Sequence, residues 1–393
     1  MSSDTLDPQR VIDSSEQLAA LVAMIGHPAM LAIDTEFHSE RRYRPELLLV
    51  QLAVRGGPVW AIDPLAVDMT LLRPMLEGAT WLVHGGSWDI RLLHSATGAR
   101  PSSLVDTQLL AAFAGLPYPA RLSILAHRVI GHKVDKAATL SNWGQRPLSA
   151  AQLEYARADV EVLFPLADRL LERVDALDAQ APARHGRAWG TAAGMELIED
   201  ALSPSDPHAQ WRRLDIAPDF DGATRRALHA LYAWRETEAQ KRNSPAHFVL
   251  SPSIALDLAR RRPTSIAGLR ANRRFPQGLL KRQGAVLVQL LEAASRAPET
   301  PSPVVHAPAG RVAMLHVLRA VLAARSNIAP KLMFPDSTIK QVAQDGVERL
   351  RGWRKQAIAT EVQDLMAGRT RLRVHEDRVV VEPIRQIGHS STN

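Results

Sequence analysis

Short apolar runs near the start of the chain predict β-strands. Residues 30–37, 47–54 and 58–62 are rich in the aliphatic side chains that suit a buried pleated surface. Gly56 and Gly57 separate the last two runs, and a glycine pair between strand patterns is typical of a hairpin turn. We therefore expect three strands here, two of them joined as a hairpin.

Helical patterns take over further along the chain. An apolar run at 81–84 leads into a predicted helix, and helical periodicity dominates from Thr107 to about Asp178. A sheet followed by packed helices indicates an α/β domain.

Two connectors, at residues 203–208 and 297–308, are rich in Pro, Ser and Ala, which marks domain boundaries. The segment between them predicts an all-helical domain. Its expected helices cover residues 223–239, 253–260, 265–271 and 277–293, with a loop at 243–250. Beyond the second connector, residues 370–384 alternate as a strand pair with Glu376 and Asp377 at the turn.

Composition narrows the class of protein. The 393 residues are too many for one ordinary domain, and 46% hydrophobic content supplies two or three cores. The absence of cysteine excludes disulfides, thiolate zinc sites and a cysteine nucleophile. The first residues lack a signal-peptide pattern, and no apolar run reaches the roughly 18 residues of a membrane span, so we expect a cytoplasmic protein.

Charge is distributed unevenly along the chain. Residues 1–176 contain 16 basic and 20 acidic side chains, whereas residues 177–393 contain 32 basic and 21 acidic ones. A basic region beside an acidic one suits a polyanionic partner such as nucleic acid, because Lys and Arg that contact phosphates release counterions. Helix solvation and an acidic protein partner are alternative explanations of the same excess.

Four carboxylates and one phenol are the candidate site residues. Asp34 and Glu36 end the first strand pattern, and residues two apart on a strand share a face. Asp89 lies in the helix expected after the run at 81–84. Tyr155 and Asp159 lie four apart in a helix that we predict from an N-cap at Ser149 to about Pro165, so their side chains stack on one face.

Carboxylates in this number suit divalent cations. Two Mg²⁺ or Mn²⁺ ions roughly 3.5–4 Å apart can stabilise both the attacking and the leaving oxygen of phosphodiester hydrolysis. Such hard cations prefer oxygen ligands, and converging carboxylates repel one another unless a cation is bound. We therefore expect Asp34, Glu36, Asp89 and Asp159 to bind metal, and Tyr155 to orient the attacking water.

The motifs resemble those of the DEDD superfamily of 3′-to-5′ exonucleases, and within it the ribonuclease D family. Asp34-Thr35-Glu36-Phe37 is similar to the first motif, His84-Gly85-Gly86-Ser87-Trp88-Asp89 to the second, and Tyr155-Ala156-Arg157-Ala158-Asp159 to the third. Tyr155 indicates the tyrosine subclass, since the histidine subclass has His where this chain has Glu154. Further similarity lies in Lys136, Ser141-Asn142-Trp143 and Arg146-Pro147-Leu148, where Asn142 replaces a common Asp.

The resemblance extends beyond the first half of the chain. Leu231-Tyr232-Ala233-Trp234-Arg235, residues 259–263 and Pro276-Gln277-Gly278 resemble the helicase-and-RNase-D C-terminal (HRDC) domain, a small nucleic-acid-binding module. Residues 311–326, 336–344 and 352–354 resemble a second, divergent copy. The resemblance implies a ribonuclease H-like exonuclease domain at 1–203 with a mixed sheet, and two small all-α domains at 209–295 and 308–393.

The activity that the resemblance implies is trimming of RNA 3′ ends, with transfer RNA precursors as substrates and nucleoside 5′-monophosphates as products. A 3′-to-5′ DNA exonuclease and a nucleic-acid-binding protein with an inactive core are the alternatives. Other residues are ambiguous: Arg41, Arg42 and Tyr43 can contact substrate phosphate or form an exposed loop. We interpret His84 as a strand-end residue and Asp106 as an N-cap, and place neither in the site.

Overall fold

A computed structural model of the protein describes residues 6–133, 142–203, 221–297 and 307–384. Some residues interpreted above lie outside these ranges: Lys136, Ser141 and the connector residues 204–208 and 298–306. The chain divides into two compact units. The first unit comprises Met1–Glu36, Leu47–Ser203 and Ala307–Asn393, and the second comprises Phe37–Glu46 and Pro204–His306.

A six-stranded mixed sheet forms the centre of the first unit. Its strands are β1 (Val11–Ile12), β2 (Met30–His38), β3 (Glu46–Ala53), β4 (Trp60–Ile62), β5 (Thr80–Val83) and β6 (Ser103–Asp106). They lie in the order β1-β4-β3-β2-β5-β6. β3 and β4 are antiparallel across the predicted turn at Gly56 and Gly57, whereas β2, β5 and β6 are parallel. The predicted strands and hairpin are confirmed.

Helices cover both faces of this sheet. They are α1 (Ser15–Ile25), α2 (Arg73–Gly78), α3 (Ser87–Thr97), α4 (Thr107–Phe113), α5 (Leu122–Ile130), α6 (Ala150–Glu161), α7 (Leu163–Gln180) and α8 (Gly186–Leu202). Ser149 caps α6 as predicted, but the helix ends at Glu161 rather than near Pro165. Pro165 lies instead in the first turn of α7, the part of a helix where the missing N–H of proline costs no hydrogen bond.

The alternation of β2 sends its side chains to two different cores. Leu31 and Ile33 pack with Leu93 of α3, whereas Ala32 packs with Leu163 of α7 on the opposite face. Asp34 and Glu36 continue the Ala32 series, so they project from the face that α7 covers.

The second unit is a helical domain. Its helices are α9 (Gly222–Arg242), α10 (Ala246–Val249), α11 (Pro252–Arg261), α12 (Ile266–Arg270) and α13 (Gln277–Arg296). Leu231, Leu258 and Leu287 are buried at its centre. The loop predicted at 243–250 is wrong in part, because Asn243 ends α9 in a left-handed conformation with φ of 44° and α10 then forms a short turn. The hydroxyl of Tyr43, which belongs to this unit, donates a hydrogen bond to Glu236.

The last described segment returns to the first unit. It contains α14 (Ala309–Ser326), α15 (Pro330–Met333), α16 (Asp336–Asp345), α17 (Gly352–Met366) and the hairpin β7 (Thr370–His375) and β8 (Arg378–Pro383). The Trp353 ring lies 5.0 Å from the ring of Phe113 and 6.0 Å from that of Trp189, measured between centroids. The Arg184 guanidinium also donates to the Ser326 carbonyl at 2.8 Å. This segment therefore completes the core of the first unit, and the idea that it is a second HRDC copy stays a prediction.

Among the described helices, none combines the length and the apolar character that a membrane crossing requires.

Candidate active site

Three predicted carboxylates, from strand β2 and helix α6, lie close together. Asp34 and Glu36 come from the strand and Asp159 from the helix. One ligand oxygen from each lies within 4.8 Å of the others, which is close enough for a single cation to contact all three. The expectation that Asp34 and Glu36 share a face agrees with this geometry.

Helix α6 orients Asp159 and Tyr155 through its buried side. Ser149 and Gln152 form a reciprocal capping box at its start, and Ala156 and Val160 on its inner side are buried. Tyr155, one turn before Asp159, is hydrogen-bonded to the Asp159 carboxylate. The phenol and the carboxylate therefore point to the same place, as their spacing predicts.

Asp89 approaches from the opposite face of the sheet. It lies in the first turn of α3, is 7% exposed, and accepts a hydrogen bond of 2.5 Å from the Thr35 hydroxyl. Thr35 stands between Asp34 and Glu36 but projects from the other face of β2. Asp89 is not part of the close group of three carboxylates, yet its charge affects both Asp34 and Glu36.

Burial, followed by the charges of neighbouring carboxylates, raises the pKa values of Asp34 and Glu36. Burial raises the pKa of Asp34 well above its usual range, and the charges of Asp89, Asp159 and Glu36 add to this effect. Burial, followed by the charges of Asp159 and Asp89, raises the pKa of Glu36 to about 8. Without a cation, Glu36 therefore resists ionisation near neutral pH, and burial and neighbouring charges disfavour the ionised form of Asp34.

The remaining two carboxyl groups are perturbed less. Burial raises the pKa of Asp159 to about 6, although the hydrogen bond with Tyr155 opposes the shift. Burial likewise raises the pKa of Asp89 to about 6 against the hydrogen bond from Thr35. A divalent cation relieves this cost, because it supplies the missing positive charge to an all-oxygen donor set. The chemistry of the site thus fits a divalent metal.

Comparisons with known proteins agree with this geometry. Residues 9–175 match a family model described as 3′-5′ exonuclease, and residues 225–291 match the HRDC domain. Ribonuclease D of Acidiphilium cryptum is 32% identical to this chain, over 94% of this chain and 96% of that protein. Ribonuclease D of Granulibacter bethesdensis is also 32% identical, over 91% and 92% respectively. The chain belongs to the ribonuclease D family.

A solved ribonuclease D structure shares the fold. The Escherichia coli enzyme, described as an exoribonuclease involved in structured RNA processing, aligns with a TM-score of 0.80 and 26% identity. The alignment covers 91% of this chain and 98% of that one. The predicted family, fold and 3′-5′ exoribonuclease activity are confirmed, and membership in this exonuclease family implies use of a divalent metal ion. The individual roles of the five site residues stay predictions.

Two residues have hydrogen-bond partners that their sequence motifs did not indicate. The predicted N-cap at Asp106 exists, since its carboxylate accepts the backbone N–H of Gln108 and Leu109. The same carboxylate also accepts the N–H of Gly85 and Gly86, in the loop that leads to Asp89. Thr35 likewise donates a hydrogen bond to Asp89. No sequence pattern joins these residues, because the contacts span 20 to 54 positions.

The segment after the first motif is only partly available to substrate. Tyr43 bonds to Glu236 and to Gln240, and Arg42 pairs with Glu46 at 2.9 Å. Arg41 is exposed. Tyr43, one of the three residues for which phosphate contact and an exposed loop were alternatives, is thus hydrogen-bonded to helix α9 of the second unit.

Proposed function

We propose that this protein removes nucleotides one at a time from the 3′ ends of structured RNA, such as transfer RNA precursors, and releases nucleoside 5′-monophosphates. The observation that carries the proposal is the convergence of Asp34, Glu36 and Asp159, with Tyr155 bonded to Asp159. The description of the Escherichia coli relative supports structured RNA as the substrate class.

In this proposal Asp34, Glu36, Asp89 and Asp159 hold two Mg²⁺ or Mn²⁺ ions. When bound, the ions stabilise negative charge on the attacking and leaving oxygens. The carboxylates lie on a strand and two helices whose inner sides are buried, so the protein holds them in place before substrate arrives. Such preorganisation lowers the cost of reaching the transition state.

In this proposal, Tyr155 orients the attacking water. Its hydroxyl is hydrogen-bonded to Asp159, and a phenol oxygen can also accept a hydrogen bond. We assign that second bond to the attacking water, which Tyr155 then aims at the phosphorus. The water oxygen bonds to the phosphorus and gives up a proton, the P–O3′ bond breaks, and the leaving 3′-oxygen of the shortened RNA takes a proton from solvent.

The second unit supplies affinity in this proposal. Four basic side chains on α13 and the loop before it are exposed: Arg273, Arg274, Lys281 and Arg282. Neutralising RNA phosphates with such side chains gives binding that does not depend on sequence.

A cleavage assay tests the substrate and the direction together. Full-length protein with Mg²⁺ or Mn²⁺ is given a transfer RNA precursor carrying a 3′ extension, an unstructured RNA and a DNA of matched sequence, all 5′-labelled. We expect the structured RNA to shorten stepwise from the 3′ end, with nucleoside 5′-monophosphates as products and no cleavage in EDTA. Early release of the 5′ label, or faster hydrolysis of the DNA, contradicts the proposal.

A further inference from the structure

Asp106 makes more hydrogen bonds than a helix cap requires. Its side chain is buried, with 3% of the residue exposed, and it accepts four backbone N–H groups. Oδ1 receives Gln108 at 2.7 Å and Leu109 at 3.3 Å, the two bonds that start α4. Oδ1 also receives Gly85 at 3.1 Å, and Oδ2 receives Gly86 at 3.0 Å. One oxygen suffices to cap a helix, so the second serves the loop.

That loop determines where α3 begins. Gly85 has a φ of 66°, which favours glycine, and a Cβ on Gly86 would lie 2.4 Å from the Val83 side chain. Glycine is therefore the residue that fits both positions of this loop. Gly86, the N-cap residue of α3, has no side chain to cap the first turn, and Asp89 is the third residue of that helix. Asp106 is thus the fixed point from which the helix bearing Asp89 starts.

The side chains of His84 and Gln108 make further hydrogen bonds beside the Gly85-Gly86 loop. His84 bonds through one ring nitrogen to the Thr107 hydroxyl at 2.8 Å and through the other to the Ala120 carbonyl at 3.0 Å. Gln108 donates to the same carbonyl at 3.1 Å. The segment before α3, the first residues of α4 and the segment before α5 are therefore tied together beside Asp106, which limits how far the loop can shift.

We propose that Asp106 is a positioning residue for the exonuclease reaction, which holds the Gly85-Gly86 loop so that Asp89 stays aligned with Asp34 and Glu36. The inference rests on the proposed role of Asp89 in the site. Hydrogen bonds from backbone N–H to a carboxylate are among the stronger ones in proteins. Misplacing a reacting constellation by about 1 Å can cost roughly a hundredfold in rate.

Asp106→Ser separates the two roles, because serine is a good N-cap but is too short to bridge to the loop. We expect kcat to fall about 10- to 100-fold while KM changes less than about threefold. Amide hydrogen exchange at Gly86 and Ser87 should quicken, whereas exchange within α4 should change little. Val174→Ala, a buried change in α7, is the matched control for general destabilisation and should leave kcat near that of the wild type.

A double mutant shows whether Asp106 acts through Asp89. In single-turnover assays at high enzyme concentration, Asp89→Asn combined with Asp106→Ser should be no slower than Asp89→Asn alone, because the effects of two changes that act through the same group are not additive. Additive losses, or an Asp106→Ser enzyme with wild-type kcat and wild-type exchange at Gly86, overturn the inference while leaving the proposed function intact. Near-normal activity in Asp89→Asn overturns the assigned site and the inference with it.

Discussion

Replacing Glu36 by glutamine should stabilise the metal-free protein in mildly alkaline solution and have little effect in acid. In the folded protein the pKa of Glu36 is about 8, against a usual value of 4.5, because burial and the charges of Asp159 and Asp89 oppose its ionisation. Between those two pH values the unfolded chain binds fewer protons than the folded one, so wild-type stability falls as pH rises. Glutamine cannot ionise and escapes this loss.

The size of the effect follows from linkage. From pH 5.5 to 8.0 the shift of Glu36 corresponds to an upper bound of about 3 kcal/mol in unfolding free energy. Because the carboxylate is partly exposed, solvent screening reduces the expected difference to about 1–2 kcal/mol. At roughly 2–4 °C for each kcal/mol, the variant should melt about 2–8 °C above the wild type at pH 8.

Thermal unfolding followed by circular dichroism in EDTA, at constant ionic strength, measures this difference. Glu154→Gln, an exposed change in the same helix as Asp159, is the control and should follow the wild type at every pH. Added Mg²⁺ should raise the wild-type Tm more than that of Glu36→Gln, because ligand binding stabilises the folded state. Parallel wild-type and Glu36→Gln curves across the pH range would refute the electrostatic account of the site.

Three further predictions concern activity and binding. Tyr155→Phe should lower kcat by roughly 10²–10⁴ with an almost unchanged Tm, and normal turnover would show that the phenol only packs. Replacing Asp34, Asp89 or Asp159 by Asn, one at a time, should remove nearly all cleavage without unfolding the protein. If a variant keeps more than about a tenth of wild-type activity, a loss of less than roughly 1.4 kcal/mol in the barrier, that residue is not part of the site. Replacing the exposed side chains Arg273, Arg274, Lys281 and Arg282 by Gln should weaken RNA binding. The steepness of the dependence of log affinity on log salt should fall by roughly 0.7–0.9 for each phosphate that the variant no longer neutralises. As a control, Arg261→Gln removes a side chain that pairs with Asp257 and should change this salt dependence less.

Local patterns predicted the parts of the site that lie on single elements. The alternation of β2 placed Asp34 and Glu36 together, and the helical spacing from Ser149 placed Tyr155 beside Asp159. These predictions succeeded because strand and helix periodicity follow from the local backbone conformation.

Features that depend on distant packing were missed. Helix α8 was not expected because it contains three glycines, which weaken a helical pattern. The structure explains one of them, since a Cβ on Gly194 would lie 2.5 Å from the Leu104 carbonyl oxygen. Likewise, the contact of Trp353 with Phe113 and Trp189 joins segments that have no common sequence pattern.

The place of Trp353 in the core of the first unit has a consequence for synthesis on the ribosome. The sheet and its first eight helices are complete at Ser203, but Trp353 is made about 150 residues later. At roughly 5–20 residues per second, that interval lasts about 8–30 s. Throughout it, the apolar surface around Phe113 and Trp189 has no Trp353 to cover it, so the nascent chain should bind chaperones at this surface until the last segment emerges.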